Sequence, residues 1–339
     1  MVDRPIHPLV TILIPAYNER PSLHALYERL TAVLTSTGCP YELVLIDDGS
    51  TDGSAEAWTD FRKCDQRLGL VRLTRNFGKE AALLAGFRHA QGDVVIPVDA
   101  DLQDPPEVIP EFIKRWRDGF DIVYGVRQQR DDPTWKRIAA QNYYRLLGGF
   151  STIRIPADAG DFRLLDRTSV QQLISLPEAD RYTKGLYTWI GGRQCAVPYH
   201  RPARQHGEAQ QSLGKLLSLA LDGLTGFTES PLRVLLYSGI LVCFAAGLYG
   251  LIWLIFYLGG WSSSIPGYPS LLLFILFFGG LNLAALGIIG EYLARIYREV
   301  KRRPPYLIAT ELTAVSALSP HHPSPRPASP PHNVRTPPG

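Results

Sequence analysis

Apolar and polar positions along the chain fall into three regimes. Over the first 125 residues, short β-branched runs alternate with apolar side chains at helical spacing. Val10 to Ile14, Tyr41 to Ile46, Leu70 to Leu73, Asp93 to Val98 and Asp121 to Gly125 predict strands. Between them, Leu23, Leu26, Leu30, Val33 and Leu34 share one helical face, and Ala81 to Ala90 reads as a further helix. Strand and helix in alternation predict an α/β fold with a mostly parallel, doubly wound sheet. Residues 126–200 are less regular and are expected to complete one side of a cleft.

The second regime is apolar without interruption. From Val234 to Gly290 there is no Asp, Glu, Lys, Arg or His. As one helix this stretch would be about 85 Å long, far more than a bilayer crossing needs. It must turn back, and the Gly-, Ser- and Pro-rich run from Gly259 to Pro269 is the place. Two spans are expected, Val234–Leu258 and Leu271–Tyr292. Arg233 precedes the first, and Arg295, Arg298, Lys301, Arg302 and Arg303 flank the second, while the turn between carries no charge. The positive-inside rule then puts both termini in the cytosol of an integral inner- or plasma-membrane protein. Just ahead of the first span, Leu213, Leu216, Leu217, Ala220, Leu221, Leu224 and Phe227 form a wide apolar stripe. Such a helix packs in a soluble core or lies in the membrane interface, and its place beside a span favours the interface.

The third regime is a Pro-, Ser- and His-rich end with too few large apolar groups to build a core. The expected organisation is a cytosolic α/β domain over 1–200, an amphipathic juxtamembrane region over 201–232, a two-helix hairpin over 233–303 and a structureless tail over 304–339. A formal net charge of +3 gives no argument for a nucleic-acid partner, although the basic flanks suit anionic lipid. Cys39, Cys64, Cys195 and Cys243 form no CxxC pair, as expected of reduced thiols. Met1 to Pro5 lacks a signal-peptide pattern, which agrees with a cytosolic soluble part. Glycines in the spans, Gly239, Gly247, Gly279 and Gly287 among them, permit close helix contact and hence a homo-oligomer, without specifying a number of subunits.

Chemistry gathers at the ends of three predicted strands. Strand one runs into Pro15-Ala16-Tyr17-Asn18-Glu19, strand two into Asp47-Asp48-Gly49-Ser50, and the fourth into Asp99-Ala100-Asp101-Leu102-Gln103-Asp104. In a parallel sheet these loops open on one edge, where ligands bind. Alone, the Asp99 loop reads as a solvated turn more readily than as a set of hard oxygen donors for Mg²⁺ or Mn²⁺. Three acidic or amide-bearing loops on one edge favour a binding cleft.

With these loops, Arg75-Asn76-Phe77-Gly78-Lys79 and Gly160-Asp161-Phe162-Arg163-Leu164-Leu165, the chain resembles the GT-A glycosyltransferases of family 2. Within them it is most similar to the polyisoprenyl-phosphate glycosyltransferases related to dolichol-phosphate mannose synthase, and to the bacterial subfamily that makes undecaprenyl-phosphate glucose. The resemblance covers about residues 8–300. It implies a Rossmann-like GT-A domain that takes a nucleotide-sugar, UDP-linked, and passes one sugar to undecaprenyl phosphate at the bilayer. Pro15, Ala16, Tyr17, Glu19, Asp48, Lys79 and Asp99 would hold the nucleotide-sugar. Asp99, Asp101 and Gln103 would hold the metal, with Asp101, Asp161 and Arg163 at the reaction. Candidate cations for the acceptor phosphate are Arg127, Arg201, Arg204 and Lys215.

A phosphate monoester is largely ionised at neutral pH, so no strong base is required, and a single displacement would invert the anomeric centre. In one respect the chain departs from its relatives. After Arg204 they usually continue toward Gly-x-Ser-Lys-Tyr, whereas here Gly207-Glu208-Ala209-Gln210-Gln211 lacks the hydroxyl and the lysine, for which Lys215 is a candidate substitute. Two other readings stand beside the leading one. A processive polysaccharide synthase needs more spans and a Gln-x-x-Arg-Trp motif, neither of which the sequence contains, and a non-catalytic membrane scaffold would draw only on Ala209-Gln210-Gln211.

Overall fold

The computed structural model describes residues 4–127, 159–178, 181–199 and 268–314, with scattered positions between 237 and 259. Eight strands form one sheet in the order β7-β5-β6-β4-β1-β2-β3-β8. They are β1 (Val10–Ala16), β2 (Tyr41–Asp47), β3 (Leu68–Leu73), β4 (Val94–Pro97), β5 (Ile122–Arg127), β6 (Ala159–Asp166), β7 (Gln194–Tyr199) and β8 (Ile308–Leu312). The centre is parallel, with β1 between β2 and β4, and β3 beyond β2. The flanks mix directions: β6 runs antiparallel to β4 and β5, β7 parallel to β5, and β8 antiparallel to β3. The sheet is therefore mixed around a parallel core.

Strand alternation sends side chains to two faces, and each face is covered by helices. Val10, Ile12, Ile14, Leu43 and Leu45 meet α1 (Arg20–Ser36), α2 (Ser54–Cys64) and α4 (Ile109–Arg117), through Leu23, Leu26, Leu30, Leu34, Trp58, Phe112 and Trp116. Leu13, Val44 and Ile46 point the other way, onto α3 (Lys79–His89), α5 (Arg167–Ser175) and α6 (Thr183–Trp189). Each fully buried Leu or Ile contributes about 1.5–3 kcal/mol, so this alternation is what holds the three layers together. α1 carries the predicted leucine face, and Pro21 suits its first turn, where an N–H would find no helical partner.

The irregular region before residue 200 supplies β6 and β7. One expectation is corrected, since the stretch assigned to a structureless tail from residue 304 contributes β8. β8 is held by ladder bonds to β3 rather than by an apolar pattern, since most of its side chains are exposed. Among the described residues one helix, α7 (Tyr268–Lys301), is long and apolar enough to cross a membrane, over Phe277–Lys301. It contains the second expected span and continues to its basic end. The described positions between 237 and 258 are also helical. The amphipathic region with Arg201, Arg204 and Lys215, and the Ala209-Gln210-Gln211 departure, lie outside the described residues.

Candidate active site

The carboxyl ends of β1, β2 and β4 open on one edge, and hydrogen bonds sew their loops together. Asp48 N donates to the Ala16 carbonyl at 2.9 Å, Asn18 N to Ser50 Oγ at 2.9 Å, and Thr51 N to Asn18 Oδ1 at 2.9 Å. Asp47 is fully enclosed, takes Ser50 N at 2.9 Å and faces Arg72 Nε at 3.2 Å. Asp48 ties in a fourth loop: its two oxygens accept Phe77 N at 2.7 Å and Gly78 N at 2.8 Å. Burial pushes the Asp48 carboxyl up, against the pull of these two donors.

Gly49 permits this close approach. Its φ is +73°, and a Cβ there would lie 2.5 Å from the Arg75 carbonyl carbon. Gly49→Ala is expected to cost about 2–4 kcal/mol through strain and the backbone clash together, read as a lowered thermal midpoint. An unchanged midpoint would show that the two loops part freely.

These loops enclose a cleft of about 260 Å³ lined by Pro15, Ala16, Tyr17, Glu19, Asp48, Lys79, Asp99 and Asp101, with Asn76, Gly78, Ala82 and Ala100. Every residue expected at the nucleotide-sugar therefore borders one cavity. Lys79, at the start of α3, crosses it: Nζ lies 2.6 Å from Asp99 Oδ1 and 2.8 Å from Asp161 Oδ2 of β6. Burial pulls the Lys79 ammonium down, but the two carboxylates more than reverse this and hold it well above its ordinary value. Asp161 behaves in mirror image. Its side chain is only 12% exposed, and burial raises its pKa, yet Lys79 and Lys184 bring it below the usual carboxylate range. Its Oδ1 is buried and has no hydrogen-bond partner among the described residues.

Other expected residues fall elsewhere. Gln103 is buried and off the cleft lining, and its backbone N–H donates to Asp101 Oδ1 at 3.1 Å, which orients that carboxylate. Arg163, expected at the reaction, is 4% exposed, gives Nη2 to the Gly160 carbonyl and lies 3.8 Å over the Tyr187 ring. It therefore braces β6 against α6 from inside the domain, because a guanidinium so enclosed and stacked does not reach the cleft. Arg127 ends β5, its backbone opposite Tyr199.

Sequence reasoning missed the support behind Lys79. Glu80 Oε2 accepts Thr183 N at 3.0 Å and the Thr183 hydroxyl as well, pinning the start of α6 to α3. Burial pushes the Glu80 carboxyl up. The seven residues of α6 are too few for periodicity to reveal them, and no side chain caps its start to mark it in the sequence.

The cleft offers oxygen donors to a divalent cation. Among the described residues no group of three His, Cys, Asp or Glu converges, but Asp99 and Asp101 both border the cleft with hard oxygens. Two carboxylates suit Mg²⁺ or Mn²⁺, which commonly complete their shells with water and substrate phosphate oxygens, so the residues present fit.

Comparison with known proteins agrees with this architecture. Residues 11–174 match the model of glycosyl transferase family 2. Uncharacterized glycosyltransferase sll0501 of Synechocystis sp. is 44% identical over 301 residues, covering 88% of this chain and 94% of the relative. Uncharacterized glycosyltransferase YkcC of Bacillus subtilis is 41% identical, over 89% and 94%. The bactoprenol glucosyl transferase of Shigella phage SfII is 41% identical, over 88% and 97%. Solved structures overlap loosely: a mannosyltransferase of Pyrobaculum calidifontis shares 19% identity at a TM-score of 0.41 over 87% of each chain, too distant for any site residue to be carried across. With a relative 44% identical along nearly the whole of both chains, the protein belongs to glycosyl transferase family 2, is a glycosyltransferase, and counts bactoprenol glucosyl transferases among its relatives.

Proposed function

We propose that the enzyme transfers one glucose from UDP-glucose to undecaprenyl phosphate at the cytosolic face of the membrane, with inversion at the anomeric carbon. The observation that carries this reading is the cleft itself, where four stitched loops present Asp48, Lys79, Asp99 and Asp101 to one cavity on a domain whose chain continues into the long apolar helix α7. The relatives named bactoprenol glucosyl transferases support the acceptor and the sugar.

In this mechanism Pro15, Ala16 and Tyr17 form the nucleoside wall, and Tyr17, 46% exposed, offers its ring to the base. Asp48 keeps the Phe77–Gly78 backbone against that wall. Asp99 and Asp101 would hold Mg²⁺ or Mn²⁺, which neutralises charge on the departing diphosphate when bound. Lys79 supplies a second, fixed positive charge beside them, held in place by Asp99 and Asp161, so it need not reorganise as charge develops on the departing diphosphate. Asp161 orients Lys79 rather than abstracting a proton, because the acceptor phosphate is ionised already.

The hairpin spans Val234–Leu258 and Leu271–Tyr292 with both termini cytosolic, and Arg127, Arg201, Arg204 and Lys215 are the candidates for the acceptor phosphate. The test uses the full chain in vesicles with Mg²⁺ or Mn²⁺, undecaprenyl phosphate and a panel of labelled UDP- and GDP-sugars. A single product, β-linked monoglucosyl lipid from UDP-glucose, is expected. Polymer, another sugar, or nucleotide binding without turnover would overturn the reading.

A further inference from the structure

The segment after helix α7 is clamped to the catalytic sheet. α7 ends at Lys301, and Arg302 turns the chain at φ +48°. Pro304 and Pro305 follow, each with a fixed φ and no N–H, so the link is stiff. Its four residues, 302–305, reach at most about 14 Å.

Tyr306 then enters the apolar cluster on the α3 face and is 8% exposed. Its hydroxyl accepts from Arg88 Nη1 at 3.3 Å, and that guanidinium lies 5.6 Å from its ring centre. The Leu307 carbonyl accepts Thr74 N at 2.9 Å, β8 pairs with β3, Glu311 faces His89 at 3.5 Å, and Arg62 donates to the Thr313 carbonyl at 2.8 Å. Arg88 and His89 close the last turn of α3, the helix whose first residue is Lys79 in the cleft. Eleven residues, about 16 Å of rigid helix, thus separate the clamp from the reacting groups. The end of α7 also comes close to the loop after α5: burial pushes the Glu178 carboxyl up, and Glu299 of α7 adds to this against the pull of Arg181.

We propose that residues 302–314 are a positioning strap for the transfer step. Clamped through Tyr306 and β8, they hold the donor cleft at a set height over the bilayer in which α7 is seated, so that a lipid-borne phosphate is presented to it. This rests on the membrane-acceptor reading above. The physical effect is one of effective concentration and orientation: a short, stiff tether confines the cleft to the layer that holds the acceptor headgroups, whereas a long, soft one dilutes and disorients it.

The experiment inserts eight Gly and Ser residues between Arg303 and Pro304, leaving Tyr306 and β8 intact. Three quantities are measured on wild type and variant: kcat/KM with undecaprenyl phosphate in vesicles, kcat/KM with a short-chain, water-soluble prenyl phosphate, and the Kd for UDP-glucose. The insertion is expected to lower the vesicle value at least tenfold while the other two stay within twofold. Tyr306→Ala should lower the vesicle value in the same selective way, and Tyr306→Phe, which keeps the ring in its cluster, should restore most of it. An insertion variant as active as wild type on vesicles would overturn the strap, as would equal losses on both acceptors. A wild-type enzyme inactive on every prenyl phosphate would instead overturn the acceptor reading, and the strap with it.

Discussion

Replacing Asp101 with alanine is expected to lower sugar transfer by roughly a thousandfold, the scale of losing a principal electrostatic contact to a leaving group. Asp101 stands in the turn after β4, where Leu102 takes φ +60° and sends the chain sharply onward. That turn lets the Asp101 side chain border the cleft while Oδ1 accepts the Gln103 N–H. Alanine keeps the turn and removes one of two carboxylates available to a divalent cation. Because the residue is only half-buried, the fold should lose under about 1 kcal/mol. Initial rates at saturating Mn²⁺, beside the thermal midpoint, decide the matter. Turnover within a few-fold of wild type would remove Asp101 from the metal site.

Lys79→Met carries the second large effect, on both activity and stability. It leaves Asp99 and Asp161 side by side without the ammonium that joins them. Breaking a fully buried pair costs about 3–5 kcal/mol. Since the Lys79 side chain is 43% exposed, solvent screening reduces this to about 1–2 kcal/mol.

The pH dependence has a definite sign. In wild type the Asp161 pKa is depressed, so its contribution to stability is present above the unfolded carboxylate pKa and is lost as pH falls through the folded value. In the variant, burial acts on Asp161 without Lys79 and raises its pKa, so the carboxylate charge itself becomes the burden. The stability deficit should be full at neutral pH and shrink on acidification through the carboxylate range, where protonated Asp161 no longer needs a counter-ion. A deficit equal at pH 7 and pH 4 would contradict the pairing. Transfer should fall at least a hundredfold at pH 7, with the loss in kcat rather than in the donor Kd alone.

Five strands were legible because buried parallel strands are nearly continuous apolar runs, such as Val94 to Pro97, with no partner information needed to recognise them. β6 was not, since Asp161 and Arg163 interrupt its pattern while Phe162, Leu164 and Leu165 fill the core around them. The same charges that hid the strand brace the site. β8 was hidden for a different reason: its stability comes from hydrogen bonds to β3 and from Tyr306, neither of which leaves a periodic trace. The cleft was legible from strand-end position, while the residues expected at the nucleotide-sugar, all of which border it, came from the family resemblance. Arg163 and Gln103 lie off the cleft lining because each is enclosed by the fold, Arg163 over the Tyr187 ring and against the Gly160 carbonyl, Gln103 in the buried turn after Asp101, and strand-end position does not reveal such tertiary enclosure.

β8 also settles when the sheet can close. Its partner β3, Leu-Gly-Leu-Val-Arg-Leu, is a mostly buried strand of low charge, and without β8 its outer row of N–H and C=O groups would invite another chain to pair. The chain emerges from the ribosome N-terminus first, so β3 waits while everything up to β8, helix α7 included, is made, about 10–50 s at roughly 5–20 residues per second, before its cover arrives. The nascent domain thus has an aggregation-prone edge throughout the period in which helix α7 is made. Completion of the sheet reports that helix α7 has already been synthesised, and a chain truncated before residue 308 would retain its leading strands with that edge still open.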